Sequence, residues 1–146
     1  MSISYKEVKT INDFIDVIRI RTDIFIIEQK CPPGWEPDEL DKKSIHFIAI
    51  LDHEIVATAR LREEPKNTAK IERMAVRKEH RGKGIGLGLT KYVLNQALKK
   101  GFKKIFIQAQ LHAQKMYEKA GFKITSKPYD LWNLGIPHVD MEYVSK

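Results

Sequence analysis

The spacing of apolar residues changes several times along this chain, and each change marks an element. Ile3 to Val8 reads as a short first strand. Ile11, Phe14, Ile15, Ile18, Thr22 and Phe25 then recur at helical spacing, with Asn12 as the expected cap. Cys31-Pro32-Pro33-Gly34 stops any helix, and the acidic stretch Glu36 to Asp41 is expected to be a surface loop. Ile45 to Leu51 and Glu54 to Leu61 read as two strands of a hairpin turning at Asp52-His53. Pro65-Lys66-Asn67 punctuates before a strand from Lys70 to Val76.

Helical spacing returns after that strand. Ile85, Leu89, Val93 and Ala97, widened by Leu94 and Leu98, line one face of a helix from about Gly84 to Lys100, which Gly101 ends. Lys104 to Gln108 is a short apolar strand. Ala113, Met116, Tyr117 and Ala120 mark the buried face of a second helix, closed by Gly121. Phe122 to Thr125 and Val139 to Val144 supply two last strands. The order β-α-β-β-β-α-β-α-β-β predicts a mixed α/β layer.

The junction of the fourth strand with its helix carries the strongest chemical signal. Between them lies a basic, glycine-spaced turn, Arg81-Gly82-Lys83-Gly84-Ile85-Gly86. Glycines admit close approach of a ligand to the backbone, and a helix N-terminus presents unpaired N–H groups to an anion. Arg81 and Lys83 add positive charge there, so the turn suits a phosphate or pyrophosphate. It is not a Walker loop, because Gly84 stands where Ser or Thr must follow the lysine. Nor is it a dinucleotide fingerprint, because Leu87 and Leu89 occupy the two places where a third glycine is required. It does satisfy R/Q-x-x-G-x-G/A.

That pattern resembles the pyrophosphate loop of the GNAT superfamily of acetyl-CoA-dependent N-acetyltransferases, and the order of elements is similar across nearly the whole chain. Met116-Tyr117-Glu118-Lys119-Ala120-Gly121-Phe122 resembles the family's F-Y-x-x-x-G-F signature, with Met for Phe. Gln110-x-x-Ala113 stands where many members have Asn-x-x-Ala. Arg21-x-x-x-Phe25-x-x-Glu28-Gln29-x-Cys31-Pro32 and Gly135-Ile136-Pro137-His138-x-x-Met141 narrow the resemblance to an ElaA-like branch.

The resemblance implies one domain over residues 1–146, with a mixed, mostly antiparallel, splayed sheet flanked by helices. It implies acetyl-CoA as co-substrate and an amine, of a small molecule or a peptide, as acceptor. The acetyl group would pass by direct attack in a ternary complex. Backbone groups of Met74 and Val76 would hold the pantetheine arm, and an N–H near Met74 or Ala75 would face the thioester oxygen, so that Met74, Ala75 and Val76 all bind the cofactor. Arg81, Gly82, Lys83, Gly84, Ile85 and Gly86 would hold the pyrophosphate, and Gln110 and Tyr117 would touch the cofactor. Tyr117 is the expected general acid for the leaving thiolate. Glu72 and His138 are both candidates for the general base. A non-catalytic acyl-CoA-binding module on the same fold is the competing class.

Composition adds exclusions. A length of 146 residues is usual for one domain, and no apolar run approaches the span of a membrane helix. The N-terminal residues lack the apolar core of a signal peptide, and the single cysteine, Cys31, excludes an internal disulfide framework; both fit a cytoplasmic protein. The net charge of +7 fits a polyanionic partner, CoA or nucleic acid, but no nucleic-acid-binding motif accompanies it. His46, His53, His80 and His112 show no metal-ligand spacing, so no metal is expected. Cys31 has no identifiable base and reads as structural. A homodimer is compatible with the family. The segments 28–41, with Trp35, and 129–138, with Trp132, are expected to frame the acceptor. Glu36, Asp38, Glu39 and Asp41 would suit a cationic substrate, or simply form a solvated loop.

Overall fold

The computed structural model describes residues 2–144 of the chain. Strands β1 (Ile3–Glu7), β2 (Ile45–Leu51), β3 (Glu54–Glu64) and β4 (Thr68–Val76) precede β5 (Lys104–Gln110), β6 (Lys123–Ile124), β7 (Tyr129–Asp130) and β8 (Pro137–Val144). Helices α1 (Ile11–Arg21), α2 (Ile85–Lys99) and α3 (Gln114–Lys119) complete the framework. The strands form one sheet in the order β1-β2-β3-β4-β5-β8-β6, with β7 beside β8. Every pairing is antiparallel except β4 with β5.

Helices cover both faces of this sheet, which explains why β3 is buried without a break from Val56 to Leu61. On one face, Leu89, Val93 and Ala97 of α2 pack with Phe47, Val56, Ala59, Ile71, Ile105 and Met141. On the other, Ile20, Ile24, Phe25, Cys31 and Ala75 form a smaller cluster under Trp35 and Trp132. Each fully buried Ile, Leu or Phe contributes roughly 1.5–3 kcal/mol from burial.

The start of α1 corrects the expected cap. Thr10, not Asn12, holds that place, its hydroxyl accepting from the Asp13 amide at 3.1 Å. The helical spacing expected through Thr22 and Phe25 is present, but its second part is wider than an α-helix. Residues Thr22–Glu28 continue α1 as a π-helical segment, with the Gln29 amide donating to the Ile24 carbonyl at 2.9 Å. The wider turn delivers Glu28 and Gln29 to the edge of the sheet. At the far end, only Lys123–Ile124 of the expected strand Phe122 to Thr125 pairs with β8, and the short β7 was not foreseen.

Two irregularities open the sheet. First, β4 and β5 pair only from Thr68 to Lys70 against Lys104 to Phe106, then separate. From Ile71 onward β4 has no strand on its β5 side. Second, Thr58 pairs with Ala75 but Arg60 pairs with Glu72, so Arg73 and Met74 share one partner position on β3. This is a β-bulge, and Arg73 takes it with φ of 53°, a left-handed backbone that costs a non-glycine residue about 1–2 kcal/mol.

Candidate active site

The separation of β4 from β5 leaves a cleft of about 600 Å³. Of the residues expected at the site, Glu72, Met74, Ala75, Val76, Arg81, Gly86, Gln110, Tyr117 and His138 all line it. Gly82, Lys83 and Gly84 lie outside the lining, on the exposed turn, and the Ile85 side chain is buried in the core.

At one end of the cleft α2 begins. Gly84 caps it with φ of 80°, and no side chain bonds the first-turn amides. A Cβ on Gly86 would stand 2.9 Å from Met116 Sδ, so glycine there lets α2 sit close against α3. Arg81 is tethered: its Nε donates to the Val76 carbonyl at 3.1 Å and its two terminal nitrogens donate to Glu28 at 2.7 and 3.0 Å. The hydrogen bond from Arg81 holds the Glu28 carboxyl below its usual range. Lys83 lies 3.2 Å from His80 Nδ1. Gln110 and Gln29 exchange amide hydrogen bonds at 2.9 and 3.0 Å, and His112 Nε2 donates to Gln110 Oε1 at 2.7 Å. The π-helical segment is thereby strapped to both sides of the cleft.

Tyr117 lies midway, 5 % exposed, with its ring edge-on to Phe122. Burial raises its hydroxyl well above the ordinary phenol range. The proton is therefore retained at any working pH.

Glu72 and His138 have opposite surroundings. Glu72 accepts from Arg60 Nε at 2.9 Å and Arg62 Nε at 3.0 Å, and pairs with Lys70 at 3.1 Å. Burial acts to raise its carboxyl, but the bonds and charges of Arg62, Arg60 and Lys70 prevail and lower it from 4.5 to about 2. So firmly ionised a carboxylate is a weak proton acceptor. His138 is 1 % exposed, and its Nδ1 lies 2.8 Å from the Ile136 carbonyl. A carbonyl can only accept, so Nδ1 carries the proton and Nε2 keeps its lone pair. Burial lowers the His138 pKa, outweighing that hydrogen bond, so the neutral form prevails near neutrality. Trp132 meets the ring edge-on at 4.7 Å, and the Tyr129 ring lies 6.4 Å away.

The acidic stretch 36–41 departs from the expected solvated loop. Asp41 is buried and bonds Arg21 at 2.8 and 3.0 Å and Arg60 at 2.9 Å. Glu36 is almost wholly buried between Arg21 and Arg73. Asp38 bonds Arg60 at 2.6 Å and Arg73 at 3.1 Å. These carboxylates are structural ions, not a lure for a cationic substrate. Of the carboxylates in this stretch only Glu39 is exposed, and it has no ion pair among the described residues. Cys31 is 2 % exposed, and burial pushes its thiol up, consistent with a packing role.

A splayed, mostly antiparallel sheet with the start of α2 at one end of its cleft is the arrangement expected from the resemblance to acetyl-CoA-dependent transferases. Residues 14–122 match the model of the Acetyltransferase (GNAT) family. The chain belongs to that family. It is 34 % identical to a UPF0039 protein of Schizosaccharomyces pombe, covering 90 % of this chain and 87 % of that one. It is 31 % identical to the uncharacterized N-acetyltransferase YjcF of Bacillus subtilis, covering 86 % and 89 %. The Escherichia coli protein ElaA is 26 % identical over 90 % of this chain and 88 % of its own, and its crystal structure superposes with a TM-score of 0.82 at 23 % identity over 97 % and 99 %. A Bacillus subtilis acetyltransferase solved in complex with CoA shares the fold, with a TM-score of 0.71 at 18 % identity over 99 % and 100 %. In addition, no helix among the described residues is long and apolar enough to cross a membrane.

Proposed function

We propose that the protein N-acetylates a small amine, with His138 as general base and Tyr117 as general acid. The observation that carries this reading is the contrast between the two candidate bases. Glu72 is consumed by three cations, whereas His138 lines the cleft with its proton fixed on Nδ1 and its basic Nε2 unengaged.

The donor half fits acetyl-CoA. First-turn amides of α2 and the positive end of its dipole suit a pyrophosphate. The unpaired edge of β4 suits an extended pantetheine arm, and the bulge at Arg73–Met74, which interrupts pairing with β3, would let a backbone N–H there face the thioester oxygen. A Bacillus subtilis acetyltransferase of the same fold was solved in complex with CoA, which supports acetyl-CoA as the donor.

The step balances on these groups. His138 Nε2 takes the proton that the amine must lose, and the amine nitrogen bonds to the acetyl carbon. The carbon–sulfur bond breaks, and the Tyr117 hydroxyl gives its proton to the departing thiolate. An oxyanion donor typically lowers the barrier by ~3 kcal/mol, and a positioned acid or base contributes ~100-fold or more.

The test is a pH profile of CoA-thiol release with a saturating amine. Activity should rise through an inflection below the ordinary histidine value of 6.5, because burial lowers the His138 pKa and only the neutral ring accepts a proton. His138→Ala should abolish that inflection and lower turnover ~100-fold. A variant that keeps both rate and inflection removes His138 from this role.

A further inference from the structure

From the charge and shape around His138, we infer that the acceptor is a monoamine with an aromatic or apolar body, not a polyamine or a basic peptide. The inference rests on the reading of His138 as base.

A second cavity, of about 580 Å³, opens between the 34–39 loop and the 131–138 segment. It shares two wall residues with the cleft, Arg73 and Trp132. Trp35 also lines it and meets Trp132 edge to face, with centroids 5.7 Å apart. Trp132 in turn touches the imidazole. A molecule passing from the second cavity to His138 therefore slides along indole surface. Such surface rewards a flat apolar body, because aromatic pairs attract beyond their buried area.

Charge excludes the alternative. Recognising a second ammonium needs a carboxylate free to receive it. The carboxylates lining the two cavities are Glu28, Glu72, Asp38 and Glu39. Glu28 is bonded to Arg81, Glu72 to Arg60, Arg62 and Lys70, and Asp38 to Arg60 and Arg73. Glu39 alone is free, and it stands exposed at the outer rim. Lys70, Arg73 and Arg81 line the cleft as well, and each carboxylate lining it is already held by a cation, so a second ammonium would find no free partner there.

The test compares 2-phenylethylamine, spermidine and an oligolysine peptide as acceptors in the thiol-release assay, beside calorimetry with acetyl-CoA. The aromatic monoamine should exceed both polycations at least ~10-fold in kcat/KM. Trp132→Ala should lower its kcat/KM by ~10-fold or more, chiefly through KM, and Trp132→Phe should restore most of it. Spermidine or oligolysine turning over as well as phenylethylamine would overturn the inference and leave acetyl transfer standing. Transfer to none of the three overturns it too. If acetyl-CoA then also fails to bind in calorimetry, the reading of the cleft falls with it.

Discussion

Replacing Glu72 by glutamine separates support from chemistry. The Glu72 side chain is 11 % exposed and touches Arg60, 1 % exposed, Arg62, 21 %, and Lys70, 14 %. Lowering its pKa from 4.5 to about 2 corresponds to about 3 kcal/mol of folding stability, at roughly 1.4 kcal/mol per pH unit. Removing one partner of a buried ion pair gives an independent figure of roughly 3–5 kcal/mol. Glutamine keeps one acceptor oxygen, so Glu72→Gln should cost about 2–4 kcal/mol near neutral pH and lower Tm by roughly 10 °C. The pH dependence has a definite sign. A carboxylate whose folded pKa is depressed stabilises above its unfolded pKa and loses that contribution as pH falls toward the folded value. The gap between wild type and variant should therefore be full near neutrality and close as pH falls from 4.5 toward about 2. Urea unfolding at several pH values measures it, and thiol-release profiles of the same proteins report on chemistry. Equal stability at neutral pH would refute the ion-cluster argument. Loss of the acid-side inflection with His138 intact would make Glu72 the base.

Three further substitutions probe other parts of the cleft. Tyr117→Phe should lower turnover ~100-fold with acetyl-CoA affinity within a few-fold by calorimetry, and unchanged turnover with chemistry rate-limiting would reduce Tyr117 to packing. Glu28→Gln should tighten acetyl-CoA binding several-fold at low ionic strength, because it frees Arg81 and removes a like charge beside the pyrophosphate. The gain should fade in high salt, and weaker binding would mean the pair builds the site instead of guarding it. Gly88→Ala should cost about 1–3 kcal/mol in urea unfolding, since its Cβ would stand 1.9 Å from the Tyr5 hydroxyl, and unchanged stability would show that the Tyr5 ring swings aside freely.

What could be read in advance was local. The apolar runs of β2 and β3 on either side of Asp52-His53, the helical stripe of α2 and the glycine spacing at its start all follow from neighbours a few residues apart, and their elements stand where expected. What was missed depends on distant partners. Glu36 and Asp41 read as a solvated loop because nothing near them announces Arg21, Arg60 and Arg73, which lie up to 37 positions away on α1, β3 and β4. The same holds for Gln29 and Gln110, 81 positions apart, and for Arg60 and Arg62, which reach Glu72 from the neighbouring strand. The surroundings that separate Glu72 from His138, an ion cluster on one and a backbone carbonyl beside the other, have no sequence period. The bulge at Arg73 has no signal of its own either, since arginine is a poor residue for that backbone.

The same bulge limits how freely the protein can change its substrate. Arg73 keeps its left-handed backbone while its guanidinium is gripped by Glu36 at 2.9 Å and Asp38 at 3.1 Å, both from the loop that walls the second cavity. In the proposed function, selectivity and catalysis would thus hang on one fastening. A replacement loop without Glu36 and Asp38 would bring new walls but leave Arg73 unheld, and the strand carrying Met74 would relax toward ordinary pairing. Redesign or natural divergence of the acceptor must work around Glu36 and Asp38, through Trp35, Glu39 and Trp132. Modularity ends at the arginine.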